Sequence, residues 1–323
     1  MKGTNMQAIP LFDLHCDTLY ESHKQNVSLI KNDLHLDFTR LSEYTPFCQI
    51  LAMWSDRKID EDTAYSRFFS ARDKLTRELA LANEQGMSIH LCRNADEPSK
   101  AQSDGVNAVF LAVEGGKLIG NDLSRLDELY RAGVRFLTLV WNDPCKIGGV
   151  NGTDEGLTEF GVSVVKHCFS LGIIPDLSHA SDKMCDEVIA LCEELDHVCI
   201  ATHSNSRAVC EHSRNLTDER FCRISKLGGI VGISLAPMHL THSEECTVYD
   251  IIRHIEHYVS IGGENTVCLG CDLDGVETLP DGICGVSDLY KIADALGRIN
   301  YTEELIKKIF YANARNFISL WLK

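Results

Sequence analysis

The feature that most constrains the fold is a regular alternation of short apolar runs with longer amphipathic segments along most of the chain. Each run is rich in β-branched or aliphatic residues, which is typical of strands buried on both faces of a sheet. The eight candidate strands are Ile9–His15, Phe47–Trp54, Ala108–Glu114, Val134–Trp141, Ile173–His179, Val198–His203, Gly229–Leu235 and Val267–Asp272. Segments with helical spacing lie between them, at 61–85, 123–132, 158–171, 182–195, 218–227 and 248–261, and two more close the chain at 286–297 and 302–320.

Strands that alternate with helices form a parallel sheet with right-handed crossovers. Eight such strands are the number that closes a (β/α)8, or TIM, barrel, and an open doubly wound sheet is the competing α/β arrangement. We find no linker, low-complexity stretch or internal repeat in the 323 residues. The sequence therefore predicts one (β/α)8 barrel domain over residues 1–323.

Charge and composition disfavour several classes of partner. The formal net charge is −16 at pH 7, whereas nucleic acids and anionic membranes require a basic face. No window approaches the ~18 apolar residues of a membrane span, and the first residues lack the apolar core of a signal peptide. Several of the fourteen cysteines lie in apolar runs, as reduced thiols do. We expect a cytoplasmic protein that binds neither nucleic acid nor membrane.

Polar residues that are unusual for their positions follow the carboxyl ends of the predicted strands. They are His15, Asp17, Glu114, His179, His203 and Asp272. Each one alone could be a turn residue or lie at a helix start. In a barrel, however, these strand ends converge on the face that holds active sites. Imidazoles and carboxylates are ligands that zinc accepts, so their joint placement predicts a metal site.

A series of short motifs also points to a known family. They are DLHCDT at 13–18, VEGG at 113–116, FLTLVWN at 136–142, EGLTEFG at 155–161, DLSHAS at 176–181, THSNSRAV at 202–209, HSRNLTDE at 212–219 and GCDLDGV at 270–276. In this order they resemble the membrane dipeptidase (renal dipeptidase) family of zinc peptidases over nearly the whole chain. The resemblance implies a soluble enzyme that hydrolyses dipeptides, including those with a D-residue at the C-terminal position. It also suggests a homodimer.

The resemblance implies a site for two Zn²⁺ ions. His15, Asp17 and Glu114 would hold the first ion, and Glu114, His179 and His203 would hold the second. Glu114 and a water or hydroxide would then bridge the two ions. The fourth predicted strand ends in LTLVWN, without the lysine that bridges the metals of many related barrels, which agrees with a glutamate bridge.

Two further roles concern the substrate and the proton. In the family, the arginine matching Arg214 clamps the free carboxylate of the substrate, a task that suits a bidentate guanidinium. Asp272 is placed to take a proton from the bridging water and to deliver it to the leaving amine. Asp274 would point to the same side if the chain stayed extended. We therefore assign the proton transfer to Asp272, with Asp274 as the second choice.

One residue departs from the family pattern. The animal renal enzymes have a histidine that contacts the scissile carbonyl oxygen at the end of the fourth strand, and this chain has Trp141 there. An indole N–H donates one hydrogen bond but takes up no proton. We expect Trp141 to contact the substrate and the oxyanion to depend more on the metals. Two alternatives stay open: a two-metal hydrolase of N-acyl amino acids, lactones or cyclic amides, and a non-catalytic binding protein.

Overall fold

The strands form one parallel sheet in the computed structural model, which describes residues 9–94, 96–97 and 107–322. Within those ranges the strands are β1 Leu11–Cys16, β2 Phe47–Trp54, β3 Ile89–Leu91, β4 Asn107–Glu114, β5 Val134–Thr138, β6 Ile174–Asp176, β7 Val231–Ile233 and β8 Val267–Leu269. Hydrogen-bonded neighbours follow the order β6-β5-β4-β2-β1-β8-β7. Nearly every strand residue is buried, because helices cover the outer face and side chains fill the inner one.

The two ends of this order are joined through residues 200 and 201. Ile200 bridges to Asp176 of β6, and Ala201 bridges to Val231 of β7, both in parallel. The predicted sixth strand, 198–203, therefore contributes two bridge residues and not a full strand. The sheet curls into the predicted barrel, and the doubly wound alternative is wrong.

The short strand β3 was not predicted. It pairs with the first residues of β4, from Asn107 to Val109, while β5 pairs with β4 from Leu111 onwards. Both strands thus lie along the same edge of β4. β3 extends the sheet at the end of the barrel opposite to the predicted metal site.

Helices connect the strands close to the predicted positions. In the described residues they are α1 Thr18–Gln25, α2 Phe38–Leu41, α3 Glu61–Glu84, α4 Ser124–Ala132, α5 Glu159–Leu171, α6 Asp182–Leu195, α7 Asp218–Lys226, α8 Pro237–Leu240, α9 Val248–Ser260, α10 Tyr290–Arg298, α11 Glu303–Lys307 and α12 Asn313–Trp321. Thr158, Ser181 and Thr217 cap their helices by accepting a backbone N–H. A π-helical turn, Lys308–Ala312, separates α11 from α12 within the predicted helix 302–320.

Apolar side chains close the lower half of the barrel. Phe12 stacks on Phe110 with ring centroids 6.0 Å apart, and Phe110 meets Phe136 edge to face at 6.1 Å. Phe317 and Ile318 of α12 belong to the same buried cluster. Since this end is filled, the described part of the barrel opens toward the carboxyl ends of the strands.

Two features bear on the expected environment. No helix in the described ranges is long and apolar enough to cross a bilayer. All fourteen cysteines lie in the described residues, and none of them forms a disulfide. Burial raises the pKa of several of them, including Cys168 to about 12, which makes them unreactive at neutral pH.

Candidate metal centre

The structure brings together all of the predicted ligands at the carboxyl ends of the strands. Three sets of side chains have potential ligand atoms within 4.8 Å of one another, and every member is buried. The sets are His15 with Asp17 and Glu114, Glu114 with His179 and His203, and His15 with His203 and Asp272.

Glu114 lies at the centre of this cluster. Its Oε1 lies 2.9 Å from Nε2 of His179 and 3.4 Å from Nε2 of His203. Its Oε2 lies 3.6 Å from Nε2 of His15, which in turn is 3.8 Å from Oδ2 of Asp17. Each carboxylate oxygen therefore faces a different group of histidines, as a carboxylate that bridges two cations must do.

Hydrogen bonds fix the tautomer of two histidines. Nδ1 of His179 lies 2.8 Å from Oδ1 of Asn142, an acceptor, so Nδ1 carries the proton. Nδ1 of His203 lies 2.8 Å from the hydroxyl oxygen of Thr202, whose own proton is donated to Asp176. The Nε2 atoms of both histidines are thus bare, and they lie 3.0 Å apart. Two lone pairs this close to a carboxylate oxygen are placed to bind a cation between them.

Unpartnered buried atoms support the same conclusion. Nε2 of His15, Oδ1 of Asp17 and Oε2 of Glu114 are buried without any hydrogen-bond partner. Buried polar atoms are nearly always paired, so an unpaired group of them calls for a ligand. The imidazole and carboxylate set suits zinc. The side chains present therefore fit two divalent cations.

The pKa values reflect crowded carboxylates in a buried site. Burial raises the pKa of Asp17 well above its usual range, with Glu114 adding to the effect, and burial raises the pKa of Asp272 to about 7. Burial also opposes ionisation of Glu114, but His15, His179 and His203 together outweigh it and hold that pKa well below normal. Burial lowers the pKa of His179 to about 4, so this imidazole stays neutral and able to bind a metal at physiological pH.

The two candidate proton carriers have different surroundings. Oδ1 of Asp272 lies 3.9 Å from Nε2 of His15 and faces the cluster. Asp274 instead accepts a 2.5 Å hydrogen bond from the Thr18 hydroxyl and a 2.7 Å hydrogen bond from the His35 amide. The two aspartates have φ values of 59° and 67°. The segment is therefore not extended, so the alternation of side chains along an extended chain does not apply to these two aspartates.

A glycine missed by the sequence reasoning makes room for both carboxylates. A Cβ atom at Gly275 would collide with Oδ1 of Asp272 and Oδ2 of Asp17. Only glycine allows the backbone to pass so close. The signal was present in the sequence as the DG pair at 274–275, although its role depends on contacts that the sequence does not display.

Arg214 is a buried cation without an ionic partner. It is 7 % exposed, and across the described ranges its guanidinium has neither a hydrogen bond nor an ion pair. Burial lowers its pKa, while the charges of Asp272 and Glu114 act in the opposite direction. A buried, unpaired guanidinium beside the cluster is suited to an anion that arrives from solution.

Trp141 forms part of the wall of a cavity next to the cluster. Its ring stacks on Trp54 at 4.7 Å, and its centroid lies 6.2 Å from the ring of His179. Both tryptophans line a cavity of about 430 Å³ that also reaches Asp17 and Asp274. Trp141 therefore lies where it can contact a substrate that enters this cavity.

Comparison with known proteins places the chain in a family. The profile of the membrane dipeptidase family, peptidase family M19, matches residues 4–319. The chain belongs to the membrane dipeptidase family. It is thus a member of a family of metallopeptidases, which confirms both the predicted resemblance and the predicted hydrolase class.

Two solved metallopeptidases share the fold, and a further protein is similar in sequence. A solved M19 metallopeptidase, dipeptidase AC, is 29 % identical with a TM-score of 0.89, over 97 % of this chain and 99 % of that one. A Rhodobacter sphaeroides metallopeptidase liganded with a phosphinate mimic of the dipeptide L-Ala-D-Ala is 28 % identical with a TM-score of 0.88, over the same shares. An uncharacterized protein in the pqqA 5′ region of Klebsiella pneumoniae is 31 % identical over 240 residues, which are 70 % of this chain and 86 % of that protein.

Proposed function

We propose that the protein is a two-zinc dipeptidase. His15, Asp17 and Glu114 hold the first Zn²⁺ in this proposal, and Glu114, His179 and His203 hold the second. The observation that carries the proposal is the convergence of three buried Nε2 atoms, those of His15, His179 and His203, on the two oxygens of Glu114. Nε2 of His15, Oδ1 of Asp17 and Oε2 of Glu114 have no hydrogen bond there. Nε2 of His15 lies 3.6 to 3.9 Å from the nearest oxygens of three carboxylates, which is too far for a hydrogen bond, so ion pairs alone do not satisfy it.

The chemistry follows from the residues around the cluster. When bound, two divalent ions supply a nucleophilic hydroxide at neutral pH and polarise the peptide carbonyl. Asp272, whose Oδ1 faces the cluster 3.9 Å from Nε2 of His15, accepts a proton at its carboxylate and passes it to the leaving amine.

Arg214 recognises the C-terminal carboxylate of the dipeptide. Its guanidinium is buried and has no partner among the described residues, so the substrate carboxylate completes an ion pair that the protein leaves open. The Rhodobacter sphaeroides relative binds a mimic of L-Ala-D-Ala. We extend this to the present chain and propose that dipeptides with a C-terminal D-residue are among its substrates.

Trp141 contacts the substrate without taking part in proton transfer. Together with Trp54 it provides an apolar wall at the cavity. Its indole N–H donates at most one hydrogen bond. Stabilisation of the developing oxyanion therefore falls mainly to the metals.

Metal analysis combined with a substrate panel tests the proposal. The purified protein is loaded with zinc, its metal content is measured, and it is assayed on L,L- and L,D-dipeptides. We expect two zinc ions per chain and hydrolysis of at least one dipeptide class. Two bound metals with no dipeptide cleaved would overturn the dipeptidase assignment, and fewer than two bound metals would overturn the site.

Hydrolysis of N-acyl amino acids is the second candidate. The unpaired Arg214 favours it as well, because these compounds also carry a free carboxylate. Adding N-acetyl amino acids and a lactone to the same panel separates the candidates. A dipeptidase prefers the substrate with a free amine, whereas an N-acyl hydrolase prefers the acylated one.

A further inference from the structure

The hydroxyl of Thr202 lies between the two halves of the proposed metal site. Its Oγ1 lies 2.8 Å from Nδ1 of His203 and 3.4 Å from Nδ1 of His15. Thr202 is 1 % exposed, so bulk water does not compete for these contacts. One side chain thus touches a histidine of each half, on the side of the ring away from Glu114.

The direction of these hydrogen bonds is set by Asp176. Its Oδ1 accepts the backbone N–H groups of Ser178 at 3.0 Å and Thr202 at 2.8 Å. Its Oδ2 accepts the hydroxyls of Thr138 at 2.5 Å and Thr202 at 2.6 Å. Since Thr202 donates its only proton to this carboxylate, its oxygen acts only as an acceptor toward the imidazoles.

The backbone of Thr202 is fixed as firmly as its side chain. Its carbonyl oxygen packs against the Cα atoms of Gly232 and Gly270, and a Cβ atom at either glycine would collide with it. The barrel therefore holds the Thr202 hydroxyl at one place relative to the strand ends that carry His15 and His203.

We infer that Thr202, oriented by Asp176, is a positioning residue for both metal sites. By accepting Nδ1–H from His15 and from His203, it keeps the Nε2 lone pair of each directed at the cluster. Hydrogen-bond partners of this kind fix the ring and the tautomer of a metal-binding histidine, and their loss typically costs 10–100-fold in metal affinity. The inference rests on the proposed two-metal site.

The third histidine provides an internal comparison. Nδ1 of His179 is bonded to Asn142 and not to Thr202. Removal of the Asn142 amide should therefore affect one metal site, whereas removal of the Thr202 hydroxyl should affect both. A merely structural role of Thr202 in the barrel would not produce this difference.

The test measures zinc binding to metal-free protein by competition with a chromophoric chelator. The titration is resolved into two binding steps, one for each zinc ion. Thr202→Val removes the hydroxyl at nearly constant shape, Thr202→Ser retains it, and Asn142→Ala is the single-site comparison. We expect Thr202→Val to weaken both steps by roughly 10–100-fold, Thr202→Ser to stay near wild type, and Asn142→Ala to weaken one step. Thermal unfolding of each metal-free variant reports the integrity of the fold.

Each outcome decides the inference. If Thr202→Val leaves both zinc-binding steps unchanged, or weakens only one of them, the inference is overturned. It is also overturned if Thr202→Ser weakens both steps as much as Thr202→Val does. If Thr202→Val does not fold, Thr202→Ala replaces it with the same expectation. Because no substrate is present, wild-type protein that binds two zinc ions but cleaves no dipeptide refutes the proposed function and leaves this inference standing.

Discussion

Replacement of Arg214 by Met should lower activity without lowering stability. Met keeps much of the length of the side chain and removes its charge. If the guanidinium holds the substrate carboxylate through two charge-assisted hydrogen bonds, each worth about 1.5–3 kcal/mol, the loss is about 3–6 kcal/mol. That corresponds to a decrease of roughly 10²- to 10⁴-fold in kcat/KM for a dipeptide.

The stability effect has the opposite sign. Arg214 is 7 % exposed and has no ion-pair partner in the described part of the chain, so the folded protein bears a desolvation cost for this charge without the gain of an ion pair. Its guanidinium nitrogens keep some contact with solvent, which makes this cost partial. In the zinc-loaded protein, Arg214→Met should therefore leave the free energy of unfolding unchanged or raise it, seen as an equal or higher Tm.

Arg220→Met is the matched control. This arginine lies on the outer helix α7 and donates to both carboxylate oxygens of Asp186, at 2.9 and 2.7 Å. Its loss should lower Tm and leave kcat/KM unchanged. Both variants are assayed on a dipeptide and on its C-terminal amide. Equal losses for Arg214→Met on the two substrates, or wild-type activity on the dipeptide, would refute carboxylate recognition by Arg214.

Three further changes test the site and the fold. Asp272→Asn should retain zinc and lower kcat by roughly 10²–10⁴-fold in steady-state assays. Asp274→Asn should lower kcat far less, and equal decreases in kcat for the two variants would reassign the proton transfer. Gly275→Ala should reduce zinc content measured by metal analysis, because its Cβ displaces the carboxylates of Asp17 and Asp272; full zinc occupancy would contradict this. Buried His254 has its pKa lowered by burial to about 4, against about 6.5 when unfolded, so its stabilising effect is complete above pH 6.5 and disappears as pH falls toward 4. Urea unfolding should show about 3 kcal/mol lost over this window, and His254→Gln should flatten the slope; an unchanged slope would exclude His254 as its source.

The barrel was predictable because its strands are buried on both faces and its helices are amphipathic, and both patterns are local. The strand predictions failed where the local sequence pattern is weak. The segment 198–203 has a strand-like composition but pairs only through residues 200 and 201. The strand Ile89–Leu91 has three residues, too few to show a period. The single-domain prediction, the homodimer and the cytoplasmic location stay predictions.

The metal ligands were predictable because each follows a strand, and the topology brings strand ends together. The residues that orient the ligands were not. Asn142 contacts His179, 37 residues away in the chain, at 2.8 Å, and Thr202 contacts His15, 187 residues away, at 3.4 Å. Nothing in the local sequence distinguishes these two residues from other polar residues. Asp274 stayed a candidate because an extended backbone was assumed, whereas the left-handed φ values turn it toward Thr18 and His35.

The distribution of buried charge bears on substrate choice. Three carboxylates face the cluster, and Arg214 lies nearby without a partner among the described residues. Two divalent cations would reverse the sign of the local charge, so the guanidinium would then favour an incoming anion. A dipeptide or an N-acyl amino acid supplies that anion, and a neutral lactone does not. In the neighbouring cavity Glu21 pairs with Lys24 at 2.8 Å and Asp274 accepts hydrogen bonds from Thr18 and His35, so Glu277 is the lining carboxylate best placed to favour an ammonium over an acyl group. The charges of Arg214 and Glu277 together favour a substrate with both termini free, which is a dipeptide.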